Sequence, residues 1–501
     1  MDSNNRNSDI IVIGAGYAGL SFAAVMAQEG RKVTVLESHA LIGGCASFFK
    51  RKGFHFEVGA TTLSGLAPGR TLYRLTKILD LQLPTTELEL PMAITLNNGK
   101  VLKRYREHSA FLKELHRVFP GHTHEKLWQK LRGWESDLWD SLCASQNFPP
   151  KSLRDFKKLL RPKILKQAHL GPLAFIPLVS KLDEKMLKDP TLIEFFNEQL
   201  MISTQSPAHE VPTLLAAMGM TYPEDMHYIY GGITKAALLL REKIESDNSQ
   251  VLTRHKVLEV KKEEELFKLR VLRGKNKEEE FTAPLVVSTL PIWNLAGLFK
   301  DNEEVAKKFV VKKPSQKKAW GAVVANFGIK WDSPIETLYH QVHYKNHPQL
   351  GTGSLFFSFS HPQDHARAPE FHQAVTVSTH TSPSPWEKAH AEGTYDQMKA
   401  TTLEAILTIF KERFGKNHEI LAQSLATPHT FEHYTQRAHG RVGGLAHNKD
   451  NNILTFPSQE TPLKNFYRIG DTTFPGQGIV GVATGALILA GKLTDKNFLE
   501  D

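Results

Sequence analysis

Gly14, Gly16 and Gly19 stand at G-x-G-x-x-G spacing behind the apolar run Ile10–Ile13, and Glu37 follows 18 residues after Gly19. Those residue types in that order suit the ADP half of a dinucleotide. Gly14 permits a tight turn, Gly16 lets backbone approach a pyrophosphate, and Gly19 lets the next helix pack closely on the strand. Tyr17 and Ala18 then open a helix whose N-terminus attracts phosphate. Glu37 lies near the spacing at which a carboxylate accepts from the adenosine ribose hydroxyls, and it would repel a 2′-phosphate. NAD and FAD both fit this unit. The pair Gly43-Gly44, just beyond the acid, shifts the balance toward FAD.

A stretch near the other end of the chain suits the other half of such a cofactor. Asn465–Asp471 reads as a strand closing on Gly470-Asp471, followed by the turn Pro475–Gly478 and then Ile479. Asp471 can accept from the ribityl hydroxyls of a flavin. A helix beginning near Gly478 and Ile479 can stabilise negative charge on the N1 and O2 edge of the reduced ring.

Other polar residues invite catalytic readings. His55 and Glu57 flank Phe56, so on a strand they share one face. Glu57 could support the cofactor or form a structural ion pair. Arg437, His439 and Arg441 precede Gly443-Gly444 and either line the flavin pocket or form a solvated turn. His340, His343, His347, His361 and His365 sit among Pro, Gly and Asn and read as loop residues. With no Cys or ordered carboxylates beside them, they read as exposed histidines and no metal site is expected.

The elements that must position these groups follow from periodicity. Ile10–Ile13 has the continuous apolar character of a parallel strand buried on both faces, residues 20–28 are Ala-rich and helix-competent, Gly30 ends that helix, and residues 32–36 read as the second strand. Residues 251–253 with 256–260, and 267–272, alternate like β-hairpin strands with a turn at Arg273-Gly274. Residues 285–288 read as a buried strand. Residues 211–220 and 395–414 read as helices, and residues 320–329 and 374–379 as strands. The expected fold is α/β, a discontinuous Rossmann-like FAD-binding domain with an inserted mixed α+β substrate lobe. Residues 9–66, 235–295 and 461–495 would make the cofactor domain, and 67–234 with 296–460 the substrate and membrane-facing lobe.

Bulk properties narrow the class. A 501-residue chain with 41% hydrophobic and 23% charged residues can bury a large core and is not a disordered one. Two cysteines, Cys45 and Cys143, cannot make a disulfide framework, which favours a reducing compartment. Residues 1–8 lack the basic-then-apolar order of a signal peptide. The net charge of +9 comes without a nucleic-acid-binding motif, so an anionic lipid surface is the expected partner and nucleic acid is not. Between residues 151 and 166, Lys151, Arg154, Lys157, Lys158, Arg161, Lys163 and Lys166 face a single acid, Asp155. Leu153, Phe156, Leu160 and Ile164 fall at helical spacing there, and the apolar stretch 170–179 follows. That pattern suits an amphipathic element resting on a bilayer, although Pro162 interrupts it and a surface helix over the core shows the same face. The expected location is cytoplasmic, peripherally associated with the inner face of a membrane.

With these motifs in view, the chain resembles the flavin-dependent phytoene desaturase superfamily, which includes carotenoid desaturases, carotenoid isomerases and retinol saturases. Residues 43–60, GGCASFFKRKGFHFEVGA, are similar to the stretch after the acid in carotenoid 3,4-desaturases of the cyanobacterial type, which usually carry Asp where Glu57 stands. Residues 63–69 continue that likeness, residues 470–478 also resemble the isomerases, and residues 228–235 resemble the turn that leads a helix back to the cofactor domain. The resemblance implies that backbone at Val257 contacts the adenine. It further implies a lipophilic polyene substrate and desaturation of the 3,4 type by hydride transfer to flavin N5, with oxygen or a quinone as final acceptor. FAD would carry the hard step while the protein aligns the chain and excludes water, which accounts for the lack of a catalytic dyad. A cis-trans isomerase, a retinol-saturase-like enzyme and a flavin-stabilised carotenoid-binding protein remain the alternatives. An amine oxidase is disfavoured because no aromatic cage for an amine is identifiable.

Overall fold

Ile10–Ile13 is apolar at every position because it is the middle strand of a five-stranded parallel sheet. The order across this sheet is Phe466–Arg468, Leu285–Ser288, Ile10–Ile13, Val33–Leu36, Gln250–Leu252. The helix Tyr17–Gln28 packs on it and against the C-terminal helix Gly478–Thr494. Both helices bury small residues, Ala23 and Ala24 in one and Ala483 and Ala486 in the other, which lets their axes approach. The computed structural model describes residues 6–146, 150, 153–160, 162–313, 316, 319–344, 350–415 and 418–500.

The hairpin expected of residues 256–260 with 267–272 is present, with its turn at Arg273-Gly274 leading into a third strand, but residues 250–252 are not part of it. Gln250–Leu252 adds to the edge of the parallel sheet, and the antiparallel unit is a three-stranded meander of His255–Glu263, Leu266–Arg273 and Lys277–Ala283. Alternation along the chain could not separate the two, because an edge strand of a parallel sheet has one exposed margin and reads like a hairpin strand. A bulge between Val257 and Glu259 shifts the register of the first meander strand.

A seven-stranded sheet forms the second layer, in the order Glu419–Ala426, Gly321–Lys330, His372–Thr381, Ser354–Phe359, Tyr339–His343, Met92–Thr95, Val101–Arg104. One face carries Val323, Phe327, Leu355, Phe357 and Val377 and packs on the helix Tyr395–Phe414 through Ile406 and Phe410. The opposite face carries Val324, Asn326, Ser354, Phe356 and Ser378, the alternate positions of the same strands. That second face looks toward the helices His124–Ala144, Pro190–Thr204 and Thr213–Thr221.

His340 and His343 are strand residues, 6% and 5% exposed, where exposed loop histidines were expected. In the sequence, Ser333-Pro334 before this strand and Asn346 with Pro348 after it are loop-type residues, which masks it. His347 lies outside the described residues, as do Lys151 and Arg161. In the basic segment the chain makes two short helices, Leu153–Leu159 and Pro162–Leu165, with Pro162 opening the second, where its missing N–H costs nothing. Leu153, Leu160 and Leu165 are 83%, 65% and 52% exposed. Among the described residues no helix is long and apolar enough to cross a membrane.

Candidate functional site

The turn after Ile13 shows why each glycine is there. Gly14 has φ +103°, and a Cβ on it would sit 2.2 Å from Thr289 Oγ1. A Cβ on Gly19 would sit 2.2 Å from the Gly14 carbonyl oxygen, so the helix could not pack as it does. Gly16 differs: a Cβ there would meet nothing within 4 Å, because this position faces an open cavity. Gly43 lies beside Gly16, its N–H donating to Ala15 O at 2.8 Å, so the two glycine-bearing segments form one ridge without side chains. No side chain caps the helix that starts at Tyr17. Its first-turn donors therefore open onto the cavity, as an anionic pyrophosphate requires.

Glu37 closes this end of the cavity. Its Oε2 accepts from Ala15 N–H at 2.8 Å and its Oε1 from His39 N–H at 2.8 Å, which aims the carboxylate at the glycine turn. Gly44, Tyr17, Ala18 and Val257 line the same space, and Gly19 stands behind it as a packing residue. The Tyr17 hydroxyl donates to Ile233 O, and burial holds its pKa above the ordinary value of 10.0.

The C-terminal motif reaches the cavity from the far side. Gly470, Asp471, Gly478 and Ile479 all line it. Asp471 Oδ2 accepts from Arg437 Nη2 at 2.7 Å. Burial disfavours the charge on Arg437, but the Asp471 carboxylate outweighs it and raises the guanidinium's pKa. Cys45 is the neighbour of this pair. Burial pushes its thiol up, with Arg437 pulling it partly back. Gln477 caps the approach to the last helix and is fixed by Gln205 Nε2, which donates to its Oε1 at 2.9 Å, and by its own donation to Ser203 O.

Four of the polar sequence candidates, His55, Glu57, His439 and Arg441, do not line the cavity, His439 instead placing its Nδ1 2.6 Å from Glu387 Oε1 at the surface. His55 and Glu57 are on the strand Phe54–Glu57, turned away from it. Glu57 Oε2 lies 3.1 Å from Arg367 Nη2 with both side chains buried, and its Oε1 accepts from Ile233 N–H at 2.8 Å. Burial works against the charge on Arg367, and Glu57, Tyr228 and Asp364 together outweigh it and raise its pKa. His55 stacks on Phe48, and burial, aided by Arg367 and Lys50, lowers its pKa to about 4. Arg441 lies over the Trp293 ring at 5.2 Å. Among the described residues no group of three or more His, Cys, Asp or Glu is placed to hold a metal.

The cavity continues beyond the motifs, with a volume of about 1690 Å³. Its further walls are the sheet face with Val324 and Phe356, the helix residues Met201, Ile202, Leu215 and Met218, and Trp139. None of these stood out in the sequence. The two-residue alternation Ser354, Phe356, Ser358 marks one face of a strand, and only the packing says that Ser354 and Phe356 border the cavity.

The glycine ridge, the uncapped helix start, Glu37 at one end and Asp471 with the last helix at the other fit an extended dinucleotide with a flavin ring. A model of the flavin containing amine oxidoreductase family matches residues 17–482. The chain is 26% identical over 500 residues to a prolycopene isomerase of an Oncidium hybrid cultivar, covering 97% of this chain and 83% of that one. It is 23% identical to the human all-trans-retinol 13,14-reductase, covering 98% and 86%, and 21% identical to a 4,4'-diapolycopene oxygenase from Methylomonas, covering 98% and 99%. Among solved structures, an oxidoreductase from Methanosarcina mazei shares the fold with a TM-score of 0.61 at 18% identity, covering 97% of this chain and 100% of that one. A putrescine oxidase does so with a TM-score of 0.59 at 15% identity, covering 98% and 99%. The chain is an FAD-dependent oxidoreductase that belongs to the flavin containing amine oxidoreductase family, within the superfamily of carotenoid desaturases, carotenoid isomerases and retinol saturases.

Proposed function

We propose that this enzyme acts on a long conjugated isoprenoid, a carotenoid-type polyene, bound in the apolar part of the cavity. The observation that carries this reading is the single space joining the cofactor motifs to a chamber walled by Met201, Ile202, Leu215, Met218, Val324 and Phe356. Ordinary small-molecule pockets hold roughly 300–1,000 Å³. The present cavity exceeds that range, as a site for a large cofactor and a long apolar substrate together would.

Gly14, Gly16, Tyr17, Ala18, Gly43 and Gly44 would hold the pyrophosphate, Glu37 the adenosine ribose, Val257 the adenine, and Gly470, Asp471, Gly478 and Ile479 the ribityl chain and ring. FAD, when bound, accepts a hydride equivalent from carbon. The chain's own part is to align the polyene along the sheet face, exclude water and fix the charges around Asp471, for which Arg437 supplies the counter-ion.

Desaturation of the 3,4 type is the reaction favoured by residues 43–60. Cis-trans isomerisation is the second reading, favoured by the four prolycopene isomerases at 25–26% identity over nearly the whole chain. Anaerobic mixing of the holoenzyme with lycopene tests the substrate class and separates the two. Stoichiometric bleaching of the flavin with a more unsaturated product supports desaturation. A geometric isomer formed by pre-reduced enzyme with no net flavin oxidation supports isomerisation. A spectral shift of the polyene with neither outcome leaves a binding protein. The exposed Leu153, Leu160 and Leu165 beside Lys157 and Lys166 suit a peripheral membrane contact from which such a substrate would enter, and oxygen or a quinone would reoxidise the flavin.

A further inference from the structure

Three segments meet at the Glu37 end of the cavity: residues 37–39, residues 255–258 and the end of the helix Pro428–Thr435. That helix also packs on the seven-stranded sheet, against the strands Gly321–Lys330 and Glu419–Ala426. Its last turn carries Tyr434 to the cavity, where 56% of the residue stays exposed. An open aromatic ring beside a carboxylate suited to ribose calls for a partner.

Neighbouring groups fix the Tyr434 ring in place. His39 N–H donates to Glu37 Oε1 at 2.8 Å and Leu41 N–H donates to His39 Nδ1 at 3.0 Å, so the imidazole is set two residues past the acid. Tyr434 meets it edge to face, with ring centroids 5.9 Å apart and planes at 86°. His433 is also perpendicular to the tyrosine ring, at 88°. Among the described residues no ring lies parallel to Tyr434, which leaves a face for a flat partner. The chain leaves the helix at Gln436, whose φ is +57°, and this residue is tied down twice. Lys256 Nζ donates to Gln436 Oε1 at 2.8 Å and Asn294 Nδ2 donates to Gln436 O at 2.8 Å. Lys256 directly precedes Val257, so the tyrosine is clipped to both walls of the adenosine end. A ring held this way loses little further freedom when a ligand arrives.

We infer that Tyr434, set against His39, is a cofactor-binding residue that stacks on the adenine of the bound FAD. A carboxylate that accepts from the ribose hydroxyls puts the attached base beside itself, and every base has a flat face that an aromatic side chain can cover. The inference rests on the placement of the adenosine at Glu37 and Val257. It adds to that placement a contact from a helix of the seven-stranded sheet. Arg437, three residues after Tyr434, pairs with Asp471 at the far end of the cofactor motifs. One short segment would thus close over the cofactor from the base to the ribityl chain.

The test crosses a change in the protein with a change in the ligand. The full-length apoprotein is titrated, by flavin fluorescence, with FAD and with the analogue from which the adenine has been removed and the diphosphoribose kept. Wild type should bind FAD about tenfold or more tightly than the analogue, the weight of one stacked base. Tyr434→Ala should bind FAD about tenfold more weakly and the analogue as wild type does, and Tyr434→Phe should match wild type with both. Equal binding of the two ligands by wild type overturns the inference even if no variant folds. So does a Tyr434→Ala variant that weakens both ligands alike or neither, and so does a Tyr434→Phe variant that behaves like the alanine. Glu37→Ala checks the placement beneath the inference and should weaken both ligands, since both keep the ribose. Wild-type affinity of Glu37→Ala for both overturns that placement, a result distinct from a failure at Tyr434.

Discussion

Arg437 and Asp471, 34 residues apart, meet at 2.7 Å with side chains only 11% and 16% exposed, and so tie the loop before Gly443-Gly444 to the end of the C-terminal cofactor motif. Gly444 permits the approach, since a Cβ there would lie 2.0 Å from the Asp471 carbonyl oxygen. Arg437 neutralises a carboxylate that lines the cavity, and its Nε also donates to Arg441 O.

Arg437→Ala should therefore weaken FAD binding by about 1 to 3 kcal/mol, as expected for removing one partner of a charge-assisted bond in a partly buried site. Lysine should restore only part of this, because it cannot reach both Asp471 and Arg441 O with a fixed fork. Equilibrium titration of the apoprotein with FAD measures both. Wild-type affinity in Arg437→Ala would mean that the pair is only structural.

Glu37→Ala removes the acceptor of Ala15 N–H as well as the proposed ribose contact. We predict a loss of FAD affinity of about 1 to 3 kcal/mol. Glu37→Gln should lose less, since its amide oxygen can still accept from Ala15. Equal losses in the two variants would argue against hydrogen bonding as the cause.

We predict that the buried Glu57–Arg367 pair serves stability and not cofactor binding. Glu57→Ala leaves a buried guanidinium without its carboxylate and should cost about 3 to 5 kcal/mol, read as a lowered urea midpoint with unchanged slope. Because neither residue lines the cavity, the fraction that stays folded should bind FAD normally. A specific loss of FAD at full stability would move Glu57 into the cofactor machinery.

Acid should destabilise the fold before the carboxylates titrate. Burial lowers His340, His343 and His447 from the ordinary 6.5 to about 4. Between those values the unfolded chain binds more protons than the folded one, so the stability these residues contribute is complete above pH 6.5 and lost as pH falls toward 4. For His343, neither ring nitrogen has a hydrogen-bond partner among the described residues, and Glu194 Oε1 stands 3.7 Å away. Urea midpoints at pH 7 and pH 5 should differ in wild type, and His343→Gln should narrow the difference. An unchanged gap would place the acid sensitivity elsewhere.

Replacing Lys157, Lys158, Lys163 and Lys166 by Gln should reduce co-sedimentation with anionic liposomes, each charge near such a surface being worth about 1 kcal/mol. FAD content should not change. Unaltered co-sedimentation at physiological salt would make this segment an ordinary solvated face.

The cofactor motifs were legible because their constraints are local. A tight turn at Gly14, an approach at Gly16 and a helix start at Tyr17 all lie within a few residues, so spacing alone carries the geometry. The strands 321–330 and 372–381 and the helix 395–414 were legible for the same reason, their period being written along the chain. By itself the sequence thus determined the nucleotide-binding unit, the α/β class and the family resemblance. The parallel pairing of the edge strand 250–252 and the burial of histidines 340 and 343 were not readable, since pairing partners and burial are set by residues far away in sequence. The same holds for the partners of the candidate residues. Nothing local to Glu57 announces Arg367, nothing near Asp471 announces Arg437, and nothing near Lys256 announces Gln436, 180 residues later. Tertiary structure alone decided these pairs, because desolvation and hydrogen bonding act between groups that only the folded chain brings within about 3 Å.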